Sequence, residues 1–301
     1  MLAILRAYAN PIPAAFGATG LEISSSSLTF HISLVDTKAL KPHEEVIESS
    51  VQSLADAMQA QGIVRDPLIV EQEEYVILDG MHRYSSLKYL KCRFAPCCLV
   101  DYDNPLIKVS SWFRLFTVED AESLAERILK ESKLSCTKQK IDTTRAASGS
   151  CNIILTRNGM AYSLPPDSDQ IEHAKAAVML ERALTMQGYH ADYFSEDVAL
   201  RNLKSGSVNF IITVPVFTKQ QIREFGVRQL LLPHKTTRHV MPSRPLRIDI
   251  PLDMLTKQRV SQAQADLELR DLLSSRRAET KPPGSVVDGR RYEEELLVFS
   301  G

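Results

Sequence analysis

The run Tyr75-Val76-Ile77-Leu78-Asp79-Gly80-Met81-His82-Arg83-Tyr84 constrains this chain more than any other stretch. A short β-favouring segment ends in a carboxylate and a glycine, and the spacing then turns helical through Leu87 and Leu90. A strand that feeds a helix through a glycine turn leaves backbone N–H groups free to face an anion. The preceding run Pro67 to Glu71, separated by the acidic turn Gln72-Glu73-Glu74, completes a hairpin. The expected class is therefore α/β (α+β), with chemistry at a strand end.

Elsewhere the pattern extends this reading. Leu28, Phe30, Ile32 and Leu34 alternate with polar residues across Ser27 to Asp36, as in a strand with one buried face. Val51, Leu54, Ala55 and Met58 follow helical spacing, and Gly62 marks the end of that helix. Cys97 to Asp101 and Ile107 to Trp112 are further strands. Thr117-Val118-Glu119-Asp120 resembles a capping box and opens a helix to about Lys133. A polar stretch, Ser135 to Ser150, suggests a boundary. Beyond it, a hairpin over Asn152 to Leu164, helices over Ile171 to Gln187 and Glu196 to Lys204, and a strand over Val208 to Val214 predict a second α/β lobe forming a cleft. Thr218 to Gln221 is another N-cap, and Arg247 to Ile250 a strand. A charged helix, Gln258 to Arg277, a linker, Lys281 to Gly284, and a closing run, Glu293 to Phe299, end the chain. The expected domains are an arm over 1–26, a first domain over 27–134, a second lobe over 135–255 and a tail over 256–301.

Composition narrows the functional classes. The 301 residues carry a net charge of −1, so the basic balance that drives counterion release on nucleic acid is missing. No apolar run approaches the ~20 residues of a membrane span. The five cysteines show neither zinc-ribbon spacing nor a disulfide framework, which points to the cytoplasm. Cys97-Cys98 reads as core packing, and His31 and His190 as surface or fold histidines.

Two groups can carry chemistry. In the first, Gly80 permits close backbone approach, the helix start offers N–H donors, Arg83 can grip a phosphate, and Asp79 is a hard oxygen ligand for magnesium. An Asp79 that caps the helix while Arg83 forms a surface pair explains the same spacing equally well. The second group, Lys235-Thr236-Thr237-Arg238-His239, gathers two cations, two hydroxyls and an imidazole, yet lacks the glycines of a Walker A loop and also reads as a solvated basic turn. Glu44 sits where an acid favours a helix dipole, and Trp112, the single tryptophan, suits a core.

Taken in order, Lys41-Pro42-His43-Glu44, the hairpin ending Asp79-Gly80-Met81-His82-Arg83, Val100-Asp101-Tyr102, the tryptophan after Lys108-Val109, and Lys235-Thr236-Thr237-Arg238-His239-Val240 resemble the ParB/sulfiredoxin-like superfamily, and within it the free serine kinases, over roughly Leu28 to Leu255. The resemblance implies phosphorylation of the hydroxyl of free L-serine to O-phosphoserine, with ATP or ADP as donor and Mg²⁺ as cofactor. It implies Glu44 as the carboxylate acting on the serine hydroxyl and Asp79 as a second acid near the metal. It places Gly80, Met81, His82, Arg83, Lys235, Thr236 and Thr237 on nucleotide and phosphate, and Trp112, Thr237, Arg238 and His239 on serine, with the loop expected to face the same pocket as Glu44 and Asp79. Met81 departs from the histidine that many of these kinases carry. A sulfiredoxin would need a cysteine at that position. A partition protein would need a helix-turn-helix where this chain has an α/β lobe. The rival reading is a non-enzymatic ParB-like transcriptional regulator that binds nucleotide or serine. Nucleotide and L-serine are the expected partners, a homodimer is compatible, and the pathway is open between cysteine synthesis, serine assimilation and siderophore supply.

Overall fold

The computed structural model describes residues 20–25, 28–142 and 151–300. The expected arm and part of the polar boundary stretch fall largely on 1–19, 26–27 and 143–150, outside the described residues. The chain divides into two compact units that do not follow the expected linear boundaries. One comprises Met1–Lys108, Ile222–Leu230 and Val240–Gly301, the other Val109–Gln221 and Leu231–His239. The polar stretch thus lies inside the second unit, and the expected tail belongs to the first. Strand pairing, which polarity along the chain does not reveal, sets these limits.

In the first unit a five-stranded sheet runs in the order Leu21–Ser24, Thr29–Asp36, Phe94–Val100, Leu68–Glu71, Ile77–Asp79. Phe94–Val100, buried along its whole length, pairs antiparallel with Thr29–Asp36 and parallel with Leu68–Glu71. Cys97 and Cys98 lie in this strand as core residues. Leu21–Ser24, expected in the arm, is instead the edge strand, because Leu21 and Ile23 bury alternate side chains against the sheet. Helix Glu48–Gln61 buries Val51, Ala55 and Met58 and ends at Gly62, where φ is 69°.

The C-terminal residues complete this unit. Helix Gln262–Ser274 carries a fully buried Asp266. It accepts hydrogen bonds from the Leu34 N–H at 2.7 Å and the Ser33 hydroxyl at 3.0 Å, beyond the point where pairing with the edge strand stops at Ile32. Glu295–Ser300 lies between Ser243–Leu246, parallel, and Arg277–Lys281, antiparallel. The expected helix to Arg277 therefore stops at Ser274, and Arg277–Lys281 is a strand despite its charged composition, since Glu295–Ser300 offers it a full ladder.

The second unit is built on a six-stranded antiparallel sheet in the order Asp192–Phe194, Phe113–Phe116, Phe210–Ile212, Asn152–Thr156, Met160–Ser163, Thr137–Lys140. Helices Ala121–Glu131, Gln170–Met186 and Glu196–Ser205 accompany it. Asp120, rather than Thr117, caps the first of these by accepting the N–H groups of Glu122 and Ser123. Thr218 and Gln221 form the reciprocal capping box expected there. Among the described residues no helix is long and apolar enough to cross a membrane, and the five cysteines are free.

Candidate active site

The strand Ile77–Asp79 delivers Asp79 to the start of helix Met81–Tyr89, and Gly80 makes the turn with φ 101°. A Cβ at Gly80 would stand 2.7 Å from Leu68 Cδ2 and 3.1 Å from Arg83 Nε, so this position needs glycine for space as well as for φ. No side chain caps the start of this helix. Arg83 Nη2 donates to Asp79 Oδ2 at 3.2 Å, and Nη1 to the Pro67 carbonyl at 2.6 Å. Met81 turns its side chain into the core, 8% exposed, so only its backbone faces the turn.

A residue that motif reading missed completes this centre. Arg244 Nη1 donates to Asp79 Oδ2 at 2.6 Å, and its Nε to Glu294 Oε1 at 2.6 Å. Burial would raise the Asp79 carboxyl, but the guanidiniums of Arg244 and Arg83 outweigh it and hold the group well below the usual carboxylate range. Asp79 therefore does not cap the helix: it organises two arginines. Both cations converge on one carboxylate oxygen. The donors gathered at this carboxylate suit an anion. Beside it lies a cavity of about 230 Å³, lined among others by Arg83, Arg244, Arg290 and Tyr292.

The segment bearing Glu44 is pinned to the same strand and helix. Lys41 bridges Val76, the buried His43 ring hydrogen-bonds the Ile77 carbonyl through Nδ1 at 2.8 Å, and the Ile47 N–H donates to His82 Nε2 at 3.1 Å. His82, expected on phosphate, thus uses one ring nitrogen to receive the backbone ahead of helix Glu48–Gln61. Glu44 is half-buried between these two anchor points.

In the second unit the loop before strand Thr237–Val240 is built on Arg114, which is fully buried. Its guanidinium donates to Glu181 at 2.8 Å and to the carbonyls of Trp112, Lys235 and His234 at 2.9, 3.0 and 3.1 Å. These bonds fix the loop on both sides of Lys235, whose φ of 57° is left-handed. Lys235 Nζ lies 5.3 Å and Arg238 Cζ 5.2 Å from the centre of the Trp112 ring, so the tryptophan carries two cations instead of filling a core. Thr236 is buried and donates to the Pro233 carbonyl at 2.6 Å, while Thr237 and His239 are buried as well. Of the loop, Lys235 and Arg238 are the groups best placed for a ligand. A larger groove of about 520 Å³, near Leu134, Leu164 and Met179, holds none of these chemical groups.

Residues 20–109 match the ParB N-terminal domain family. Over about three quarters of its length the chain is similar to two proteins named as L-serine kinases. It is 28% identical over 231 residues to an ATP-dependent L-serine kinase of Staphylothermus marinus, which covers 74% of this chain and 90% of that protein. It is 24% identical over 226 residues to the ADP-dependent L-serine kinase SerK of Thermococcus kodakarensis, at 73% and 91% coverage. A solved free serine kinase in complex with AMP shares the fold with a TM-score of 0.61 at 23% identity, over 74% of this chain and 93% of that one. The resemblance to ParB-like serine kinases, read from the motifs, is borne out.

Proposed function

We propose that this chain is a kinase for free L-serine that takes its phosphoryl group from ATP or ADP. The observation that carries the proposal is the anion-binding turn at Asp79-Gly80, with uncapped helix N–H groups and Arg83 and Arg244 held by one carboxylate, in a chain that spans 90% or more of two L-serine kinases. In the reaction the serine Oγ attacks the terminal phosphorus, its proton passes to the Glu44 carboxylate, and the bond to the leaving nucleotide breaks. ATP leaves ADP; ADP leaves AMP. Asp79 acts by keeping Arg83 and Arg244 aimed at the phosphates. Such positioning and charge neutralisation carry most phosphoryl transfers. A Mg²⁺ brought in with the nucleotide would supply further neutralisation of the phosphate oxygens, with Asp79 the carboxylate nearest to hold it. Trp112, Lys235 and Arg238 are assigned to the amino-acid substrate, whose carboxylate suits the two cations.

Incubation with L-serine, Mg²⁺ and either ATP or ADP, followed by phosphate NMR, tests this reading directly. Phosphoserine should form with one donor or both, and its absence with each would reject the kinase. Glu44→Gln should keep the fold and lower turnover ~10²-fold or more, the usual scale of acid–base contributions. Near-normal turnover in the folded variant would remove Glu44 from the mechanism.

A further inference from the structure

The cavity beside Asp79 has a wall that the kinase motifs do not supply. Arg83 comes from the motif helix and Arg244 from strand Ser243–Leu246, but Arg290 and Tyr292 belong to the chain's last dozen residues, outside the stretch that resembles the serine kinases. Glu294, which holds Arg244 through Nε, comes from the same segment. These residues are fixed rather than draped over the surface. Tyr292 is 8% exposed and packs in a cluster with Leu246, Val287, Leu296 and Val298. Val286–Val287 pairs with Arg290–Arg291 in a tight hairpin, and Glu295–Ser300 extends the strand that carries Arg244 into a three-stranded sheet. Arg290 is exposed at the cavity with its guanidinium 4.8 Å from the Tyr292 ring centre, which orients the cation without neutralising it.

We propose that this C-terminal segment is part of the nucleotide site: Arg290 is a third phosphate-binding cation beside Arg83 and Arg244, and Glu294 is a positioning residue that aims Arg244. The chemistry follows from charge. A nucleoside di- or triphosphate brings two or more negative charges into a space where Asp79 already offsets part of the positive charge of Arg83 and Arg244. Glu294 offsets more of it, so a further cation is needed to bind the chain of phosphates. Arg290 supplies it from a position that leaves the Asp79 centre intact. AMP, with a single phosphate, gains least from this residue.

This inference rests on the kinase reading for the ligand's identity, and its test separates the two. Calorimetric titration with ADP, ATP and AMP needs no turnover, and thermal melting reports the fold of each variant. Arg290→Ala should melt like the wild type, bind ADP and ATP about tenfold more weakly, and bind AMP nearly unchanged. Arg290→Lys should recover part of the loss. Glu294→Gln should raise KM for the nucleotide but not for serine, and Glu294→Asp should restore it in part. Equal ADP and ATP affinity in wild type and Arg290→Ala overturns the role of Arg290. A Glu294→Gln variant that loses thermal stability alone overturns the role of Glu294. Wild type that binds these nucleotides yet forms no phosphoserine rejects the kinase and leaves the cradle standing, whereas wild type that binds none of them rejects both.

Discussion

Single residues carried the chemistry of the sequence unevenly. Asp79, Gly80 and Arg83 were legible because the strand, the turn and the first helical residues are contiguous. Arg244 was not, because it meets Asp79 across 165 positions and nothing in its neighbours distinguishes it from a surface arginine. Arg114 and Glu181 were hidden for the same reason, 67 residues apart, one on an otherwise apolar strand and the other among the mixed residues of a helix. Their pairing has a consequence in acid. Burial would raise Glu181, but the His234 imidazole 3.9 Å away, the Arg114 guanidinium and the Tyr193 hydroxyl together outweigh it and bring the carboxyl down to about 2 from 4.5. A carboxyl lowered on folding contributes stability that is complete above its unfolded value and is lost as pH falls from 4.5 toward 2, roughly 3 kcal/mol at most. Burial also lowers His173 from 6.5 to about 4, so the unfolded chain takes up that proton first and stability declines over that higher window as well. Trp112, the single tryptophan, lies in the same unit. Guanidinium midpoints followed by its fluorescence should fall in two stages, from pH 6.5 to 4 and again below 4.5. Glu181→Gln should remove the lower stage and destabilise the neutral protein by about 3–5 kcal/mol through an unpaired Arg114. A midpoint independent of pH between 7 and 3 would contradict both assignments.

Elements were read best where local signals and tertiary demands coincide. The helix closing at Gly62 and the capping box at Thr218 appeared where the residues placed them. Arg277–Lys281 failed because a strand of alternating charge is made by its partner, not by its own propensity. Leu21–Ser24 was overlooked because four residues are too few for a period to show. The joint between the last helix and the main sheet depends on one buried group. Asp266→Ala would strand the Leu34 N–H and the Ser33 hydroxyl without their acceptor, at a cost of about 3 kcal/mol. Chemical denaturation measures this directly, and a loss under 1 kcal/mol would mean that water replaces the carboxylate.

Across the whole molecule, the fold class followed from alternating strand and helix patterns, but the partition into units did not, because it depends on which distant strands pair. The first unit draws on both ends of the chain, whereas the second is made almost entirely from one continuous stretch, Val109–Gln221. Contacts between distant segments carry a larger closure entropy and form more slowly. In refolding, pulse-labelled hydrogen exchange should protect Asn152–Thr156 and Phe210–Ile212 before Ser243–Leu246 and Glu295–Ser300. Simultaneous protection would show that the units do not fold separately. On the ribosome the same asymmetry becomes an order of birth. The middle of the polypeptide can acquire its shape while the strand that seats beside Arg244 is still in the exit tunnel. A nascent chain would then remain without its complete phosphate cradle until Glu295–Ser300 has left the tunnel.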